Sequence, residues 1–279
     1  MVLLYRKMKS WILWPLAKGC IILAVIFLSA CDLFEYSPNQ IILKAHERDL
    51  NKKNINKLLS KTPGDTLKII LMGDTQRFYD EVDEFVRSVN QRKDVDLVIH
   101  SGDISDFGLQ QEFTWVNDIM SKLKVPYVTV IGNHDLLANG SKVYSKMFGP
   151  FNFSFTYAGI KFILFDSNSR EHSFNGSVPD IPWIEEELAD SANYNAAILV
   201  SHIPPYDGDF DPQLSDKYAL LVKEHPKVRL SLHGHQHSFQ LEDFPDDGVT
   251  YVVSTTIGKR GYAEITITGE ETTIEKIYF

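Results

Sequence analysis

The chain has 279 residues, of which 44% are hydrophobic and 23% charged. These values are ordinary for a globular protein, and the length suits one large domain or two small ones with a sizeable buried core. Acidic residues outnumber basic ones by 37 to 28, and the formal net charge is −9. Because nucleic-acid-binding domains usually carry a basic face, we do not expect nucleic acid as a partner.

The first thirty residues differ in kind from the remainder. They contain basic residues and no acidic one, and they end in the apolar run GCIILAVIFLSA. This run is shorter than the roughly 20 residues that a bilayer span needs. A basic start, a short apolar stretch and small residues before a break are typical of a secretory signal peptide, which we predict over residues 1–30.

The break itself is LSAC, which ends at Cys31 and resembles a bacterial lipobox. The resemblance implies cleavage before Cys31 and diacylation of its thiol, and two acyl chains anchor a protein stably. An uncleaved membrane anchor with an incidental cysteine is the alternative. Both readings predict a body outside the cytoplasm, and the lipobox reading predicts a lipid anchor in a bacterial membrane, on the periplasmic or cell-surface side. Residues 31–65 are expected to form a tether and a short helix.

From residue 66 onward the pattern indicates an α/β domain that extends to residue 279. Apolar strand-like runs alternate with helical stripes in LKIILMGD, DEVDEFVRSVNQ, VDLVIHSGD, QEFTWVNDIMSKL and VPYVTVIGNHD. This alternation predicts a parallel sheet with helical crossovers. A hairpin through Ala158-Gly159 follows, and the last part of the chain is nearly all strand. We therefore expect two mixed sheets packed together, with helices outside.

Five of the predicted strands are followed by motifs that carry potential metal ligands. Sites in open α/β sheets form at the carboxyl ends of the strands, so these motifs are expected to meet at one rim. Carboxylate, amide and imidazole groups at one rim point to a metal site. Each motif alone is a weak signal, whereas all five in order are specific. They are GDTQ at 73–76, SGDIS at 101–105, GNHD at 132–135, SHIPP at 201–205 and GHQH at 234–237.

In this order the motifs resemble those of the calcineurin-like metallophosphoesterase family, whose pattern is D-x-H, G-D, G-N-H-D/E, H and G-H-x-H. The resemblance covers roughly residues 67–279 and implies a four-layer α/β-β/α sandwich. It also implies two divalent or trivalent metal ions, such as Mn, Fe or Zn. By position, the implied ligands are Asp103 as the bridge, Asp74 and His237 at the first metal, and Asn133, His202 and His235 at the second.

The same resemblance implies the roles of the residues around the metals. A water that bridges two metals becomes hydroxide near neutral pH and attacks phosphorus in line. His134 is not a ligand in this pattern; it would stabilise the phosphoryl oxygens and protonate the leaving oxygen. Asp135 is expected to orient the imidazole of His134 through a hydrogen bond.

Gln76 is the one departure from the family pattern, which usually has histidine at this position. A carbonyl oxygen binds most transition metals more weakly than imidazole does, so the affinity and identity of the first metal are open. Two further histidines have structural interpretations. We expect His233 to pack at the end of its strand and His100 to lie in the core.

The sequence thus predicts a lipid-anchored, monomeric, metal-dependent hydrolase of phosphomonoesters or phosphodiesters. A non-catalytic binding protein on the same fold is the alternative, and Gln76 is its only support. A protein-phosphatase-like activity is disfavoured by the predicted compartment. Substrate choice is assigned to loops near residues 77–80, 139–150, 170–180 and 207–213, with Arg77, Arg170 and Arg260 as candidate phosphate contacts.

Overall fold

The structure is a computed structural model, and it describes residue 37, residues 39–243 and residues 247–279. The predicted signal peptide and Cys31 lie outside these residues. The chain divides into two units, Met1–Gln40 and Ile41–Phe279, and every element named below belongs to the second. Across the part of the chain that is described, no helix combines the length and the apolar character needed to cross a membrane.

The described part of the chain contains eleven strands and six α-helices. The strands are β1 (Thr66–Met72), β2 (Leu97–His100), β3 (Tyr127–Thr129), β4 (Phe153–Tyr157), β5 (Ile160–Leu164), β6 (Ala196–Val200), β7 (Val228–His233), β8 (Gln240–Asp243), β9 (Thr250–Val253), β10 (Gly261–Thr268) and β11 (Glu271–Tyr278). The helices are α1 (Leu50–Leu59), α2 (Tyr79–Gln91), α3 (Gln110–Met120), α4 (Gly140–Met147), α5 (Ile181–Ala189) and α6 (Pro212–Glu224).

The strands form two mixed sheets. The first sheet has the order β11-β10-β1-β2-β3. In it β1, β2 and β3 run parallel to one another, and β10 pairs antiparallel with both β1 and β11. The second has the order β4-β5-β6-β7-β9-β8, in which the four inner strands run parallel and the two edge strands are antiparallel. The parallel strands are nearly continuous aliphatic runs because both of their faces are covered.

Alternate residues of β1 divide between two cores, which explains the layered arrangement. Ile69 and Leu71 pack into a core between the two sheets, and Ile70 and Met72 pack against the helices outside the first sheet. A third core joins the second sheet to α5 and α6. Burying each of these aliphatic side chains contributes about 1.5–3 kcal/mol. The predicted four layers, with helices on the outside of two packed sheets, are confirmed.

Two elements differ from the sequence-based prediction. Helix α4 lies where we expected only a loop, because its buried stripe of Val143, Tyr144 and Met147 is short and is diluted by glycine and serine. Strand β8 was not predicted either, because QLED is a polar edge strand whose Leu241 is exposed. The predicted hairpin through Ala158-Gly159 and the helix before the domain are both present.

Candidate metal centre

The five polar motifs lie at the carboxyl ends of β1, β2, β3, β6 and β7, as predicted. The two sheets contribute different chemistry. Loops after the three parallel strands of the first sheet carry the oxygen donors, and loops after two neighbouring strands of the second sheet carry the imidazoles. The oxygen donors are Asp74, Asp103 and Asn133, and the imidazoles are His202, His235 and His237.

The loops that carry these residues have unusual backbone conformations. Five of the predicted ligands have positive φ, which a non-glycine residue adopts only at a cost of order 1–3 kcal/mol. Such strain persists only where the surrounding structure holds it, and it clusters at functional sites. The residues and angles are Asp74 (52°), Gln76 (32°), Asp103 (58°), His235 (69°) and His237 (56°).

Gly132 of the GNHD motif shows how tightly these loops pack. A Cβ atom at this position would lie 2.2 Å from the backbone nitrogen of Asp103, which no side chain tolerates. The glycine therefore lets the loop after β3 approach the loop after β2. This close approach lets Asn133 and Asp103 both reach the same ring nitrogen, His202 Nε2.

We call Asn133, His202 and His235, with the shared Asp103, the second half of the predicted site, and Asp74, Gln76 and His237 the first half. The residues of the second half contact one another. His202 Nε2 lies 3.1 Å from Asn133 Oδ1 and 3.4 Å from Asp103 Oδ1. His202 Nδ1 lies 2.7 Å from the carbonyl oxygen of Ser101 and must donate to it, since a carbonyl only accepts. His235 Nδ1 lies 3.2 Å from the same Asn133 oxygen. Three predicted ligands thus converge on one point.

The electrostatics of this half favour a bound cation. Burial lowers the pKa of His202, but the charge of Asp103 and a hydrogen bond to it outweigh burial and raise the pKa to about 10. Burial likewise raises the pKa of Asp103, but His202 outweighs it and lowers the pKa to about 2. Between the imidazole and the carboxylate the protein therefore stabilises positive charge, and a metal ion can take the place of the proton.

The first half is less tightly connected. The carboxylate of Asp74 is fully buried, and its Oδ2 has no hydrogen-bond partner among the described residues. His237 Nε2 lies 3.2 Å from Asp74 Oδ1, a contact that raises the pKa of His237, and the His237 side chain is 45% exposed. A buried carboxylate is costly unless it is paired with a cation, and a metal ion can supply that charge to the oxygen that lacks a partner. Asp74 therefore fits a metal ligand.

Gln76 lies beside the predicted bridge. Its Nε2 donates a hydrogen bond to Asp103 Oδ2 over 3.2 Å. In this orientation the side chain supports the carboxylate, and the amide would have to rotate for its oxygen to face a metal. Ligation by Gln76 therefore stays a prediction.

The donor set suits a transition-metal ion. Asp74, Asp103 and His202 each place one ligand atom within 4.8 Å of the other two, and all three residues are buried. Imidazole with carboxylate ligands suits Zn, Fe and Mn. The residues therefore fit the metal that the resemblance implies.

His134 lies at the edge of this cluster, and its imidazole contacts Asp106. Its Nδ1 is 2.9 Å from the carbonyl oxygen of Asp106 and 3.7 Å from a carboxylate oxygen of the same residue. The His134 side chain is 36% exposed, and its backbone N–H donates to Asp103 Oδ1 over 3.0 Å. Asp106 is buried and also pairs with Arg77. The imidazole is therefore fixed on one side and open on the other.

The predicted hydrogen bond between Asp135 and the His134 imidazole is wrong. The Asp135 side chain turns inward and accepts hydrogen bonds from the backbone N–H groups of Gly132, Ile104 and Ser105 and from the Ser105 hydroxyl. Burial and the charge of Asp103 raise the pKa of Asp135. Asp135 therefore ties the loop after β3 to the loop after β2, and Asp106 supports His134.

The remaining predicted residues are also placed. His233 is buried and bonds with Ser201 and Ser231, and His100 bonds with Thr75, as their structural interpretations require. Arg77 pairs with Asp106, which is next to His134. Arg170 Nη1 lies 2.7 Å from Asp209 Oδ2. Arg260 pairs with Glu81 and Glu84 of α2 and contacts none of the predicted ligands.

Comparison with known proteins places this geometry in a family. A family model of calcineurin-like phosphoesterases matches residues 67–239. A 3',5'-cyclic-nucleotide phosphodiesterase of Nostoc sp. is 26% identical over 153 residues, which are 52% of this chain and 57% of that protein. A glycerophosphodiester phosphodiesterase of Enterobacter lignolyticus is 23% identical over 167 residues, 55% of this chain and 60% of that protein. The matched segment thus spans less than two thirds of each relative.

Solved structures agree with the fold. A dimetal phosphatase from Danio rerio aligns with a TM-score of 0.63 at 14% identity, covering 75% of this chain and 95% of that one. A purple acid phosphatase from yellow lupin aligns with a TM-score of 0.60 at 16% identity, covering 76% of this chain and 51% of that one. These likenesses concern the fold alone. The family match, which covers more than half of the chain, identifies it as a member of the calcineurin-like phosphoesterase family.

Proposed function

We propose that this protein hydrolyses phosphate esters at a two-metal centre, with phosphodiesters as its principal substrates. The position of Asp103 carries the proposal. One of its carboxylate oxygens faces His202 in the second half of the site, and the other faces Gln76 in the first half. A carboxylate shared in this way suits two cations at close range, which repel each other and need a common anion.

The preference for diesters rests on the relatives. The two described above are named as a cyclic-nucleotide phosphodiesterase and a glycerophosphodiester phosphodiesterase. Their names support a diester, and the geometry of the ligands is neutral between diesters and monoesters.

The side chains around the proposed metals have separate roles. When bound, the two metal ions supply Lewis acidity and a water nucleophile that is active near neutral pH. Asp103 balances their charge from the centre of the cluster. His134 donates Nδ1–H to the Asp106 carbonyl and keeps that proton throughout. When the ring is in its doubly protonated form, Nε2–H gives its proton to the leaving oxygen, and the ring is left as the neutral Nδ1–H tautomer. Asp106 and Arg77 keep this imidazole in place.

The test is a panel of p-nitrophenyl monoesters and diesters with Mn²⁺, Zn²⁺, Fe²⁺ or Ni²⁺. We expect turnover of diesters to exceed that of monoesters and to need added metal after chelation. Tight binding of metal with no turnover of any ester would instead favour a non-catalytic binding protein. Faster turnover of monoesters would overturn the substrate preference alone.

We further propose that the protein is a monomer anchored by lipid at Cys31, outside the cytoplasm of a bacterial cell. The support is the LSAC motif after a basic and apolar N-terminal segment. Cys31→Ser should leave an unlipidated precursor or release the protein from the membrane fraction. Cys20→Ser is the matched control, because that cysteine lies inside the predicted signal peptide. A Cys31→Ser protein that fractionates and migrates like the wild type would contradict the proposal.

A further inference from the structure

The loop that follows His202 brings two carboxylates to the imidazole of His235. His235 Nε2 lies 3.2 Å from Asp209 Oδ2 and 3.7 Å from Asp207 Oδ1. Both acids are half-buried, and they lie between β6 and α6. Neither residue belongs to the five motifs that carry the predicted ligands. Their position gives them a direct effect on the His235 imidazole.

The two nitrogens of His235 face different surroundings. Nδ1 faces Asn133 Oδ1 inside the metal centre, and Nε2 faces the acidic loop. The His235 ring also packs edge-to-face on His202, with centroids 5.2 Å apart. For Nδ1 to bind a metal, its lone pair must be unprotonated, so the proton of the neutral ring must sit on Nε2. An acceptor at Nε2 fixes both this tautomer and the direction of the ring.

Asp209 is the better placed of the two acceptors. Its Oδ2 is the closer to Nε2, and the same oxygen is held by Arg170 Nη1 at 2.7 Å. Asp207 has other partners, because its Oδ2 accepts from Gln236 Nε2 and its Oδ1 accepts from the backbone N–H of Asp209, each over 2.9 Å. Asp207 therefore shapes the loop, and Asp209 meets the ring.

The same three side chains are spaced closely enough to hold a metal ion themselves. Arg170 argues against that use. Its guanidinium already supplies a cation to Asp209, and a further ion there would lie against that positive charge. The contact is better described as a carboxylate–imidazole pair beside the metal centre.

We propose that Asp209, held by Arg170, is a positioning residue that orients His235 for metal binding at the second half of the site. The inference rests on the proposed function, since it requires that His235 ligates a metal. Partners of this kind fix the tautomer of a ligand and raise its basicity, and their loss typically lowers metal affinity about 10- to 100-fold.

The first measurement is calorimetric titration of the metal-free protein with Zn²⁺. Asp209→Ala should weaken the second half of the site about 10- to 100-fold while the first half changes little. Asp209→Asn should recover part of the loss, because its amide oxygen can accept the same hydrogen bond. Asp207→Asn is the matched control and should remain near wild type, since it keeps the oxygen that holds the loop. A general structural defect would weaken both halves together.

The second measurement is spectroscopic and uses the Zn²⁺-bound protein. Nitrogen-15 chemical shifts of the His235 ring should show a metal-bound Nδ1 and a protonated Nε2, with the Nε2–H proton resonance shifted downfield by its hydrogen bond to Asp209. In Asp209→Ala that proton resonance should move upfield. Unchanged shifts and unchanged Zn²⁺ affinity in Asp209→Ala would overturn this inference alone. A wild-type protein that binds no metal would instead refute the proposed function, and the inference with it.

Discussion

The two halves of the metal centre are built differently. In the second half, Asn133 Oδ1 lies within 3.2 Å of a ring nitrogen of both His202 and His235, and each ring has a further partner on its far side. In the first half, Asp74 Oδ2 has no hydrogen-bond partner among the described residues, and Asp74 Oδ1 meets His237, whose side chain is 45% exposed. The second half is preorganised, whereas the first, called the open half below, contains an imidazole that is exposed to solvent.

The difference predicts an order of binding. A site whose ligands are already aligned loses less conformational freedom when the ion arrives, so the second half should fill first and resist chelation. The first half should exchange its ion more easily. Gln76 strengthens this expectation, because it donates to Asp103 where the family pattern has an imidazole ligand.

The change that should abolish the difference between the halves is Asp103→Asn. It removes the carboxylate common to both, so the content of both metals and the rate should fall together. We expect a loss of about 10³-fold or more in kcat, the upper end for removing one electrostatic group at a reacting centre. Metal analysis and steady-state kinetics measure it, with Asp118→Asn on α3 as control. Two tightly bound ions in Asp103→Asn would refute its role as the bridge.

His134→Ala should lower the rate while leaving both halves intact. Loss of general acid catalysis is worth about 10²–10⁴-fold in kcat, and the metal content should not change. The effect should be smaller for p-nitrophenyl esters, because their leaving group needs little protonation. Kinetics on leaving groups of different pKa measure it. Equal losses on all leaving groups would mean that His134 acts on the phosphoryl oxygens alone.

Asp135→Ala should damage the preorganised half through the backbone. It leaves buried N–H groups of Gly132, Ile104 and Ser105 without their acceptor, at about 1–3 kcal/mol each. Urea unfolding of the metal-free protein should therefore show a loss of roughly 3 kcal/mol or more. Ser105→Ala removes the hydrogen bonds that its hydroxyl makes with Asp135 and with the backbone N–H of Gly108, and it should cost less, about 1–2 kcal/mol. An Asp135→Ala protein as stable as the wild type would contradict this structural role.

Gln76→His should give the smallest effect, and it should act on the open half alone. It restores the usual imidazole, so the open half should bind Zn²⁺ about tenfold more tightly while the preorganised half stays unchanged. Calorimetric titration of the wild type, Gln76→His and Gln76→Ala measures both halves. Identical affinities in all three would show that Gln76 is not a ligand.

The arrangement of the ligands was predictable because it follows from chain direction. Parallel strands end at the same edge of a sheet, so polar motifs after aliphatic runs must meet there. The direction of a single side chain was not predictable in the same way. Asp135 follows His134 in the chain, but a 3-10 turn points its carboxylate inward, and Asp106 takes the expected place.

Contacts between loops that are far apart in the chain could not be predicted from the sequence either. Asp209 reaches His235 across 26 positions in the chain, and no periodicity or motif encodes that distance. The short helix α4 and the polar strand β8 were missed for a simpler reason, because each buries too few apolar side chains to give a clear pattern. What the sequence encodes well is burial, and what it encodes poorly is the direction of polar groups.

The division of ligand chemistry between the sheets has a consequence for folding. The first sheet supplies Asp74, Asp103 and Asn133, and the second supplies the three imidazoles, so a full set of ligands exists only after the sheets dock. Ions bound there act as cross-links between the halves of the domain, and their binding free energy adds to the free energy of unfolding. An ion at 100 times its Kd adds about 2.7 kcal/mol. If the proposed ions bind, newly folded protein should resist unfolding least in the interval before it acquires metal.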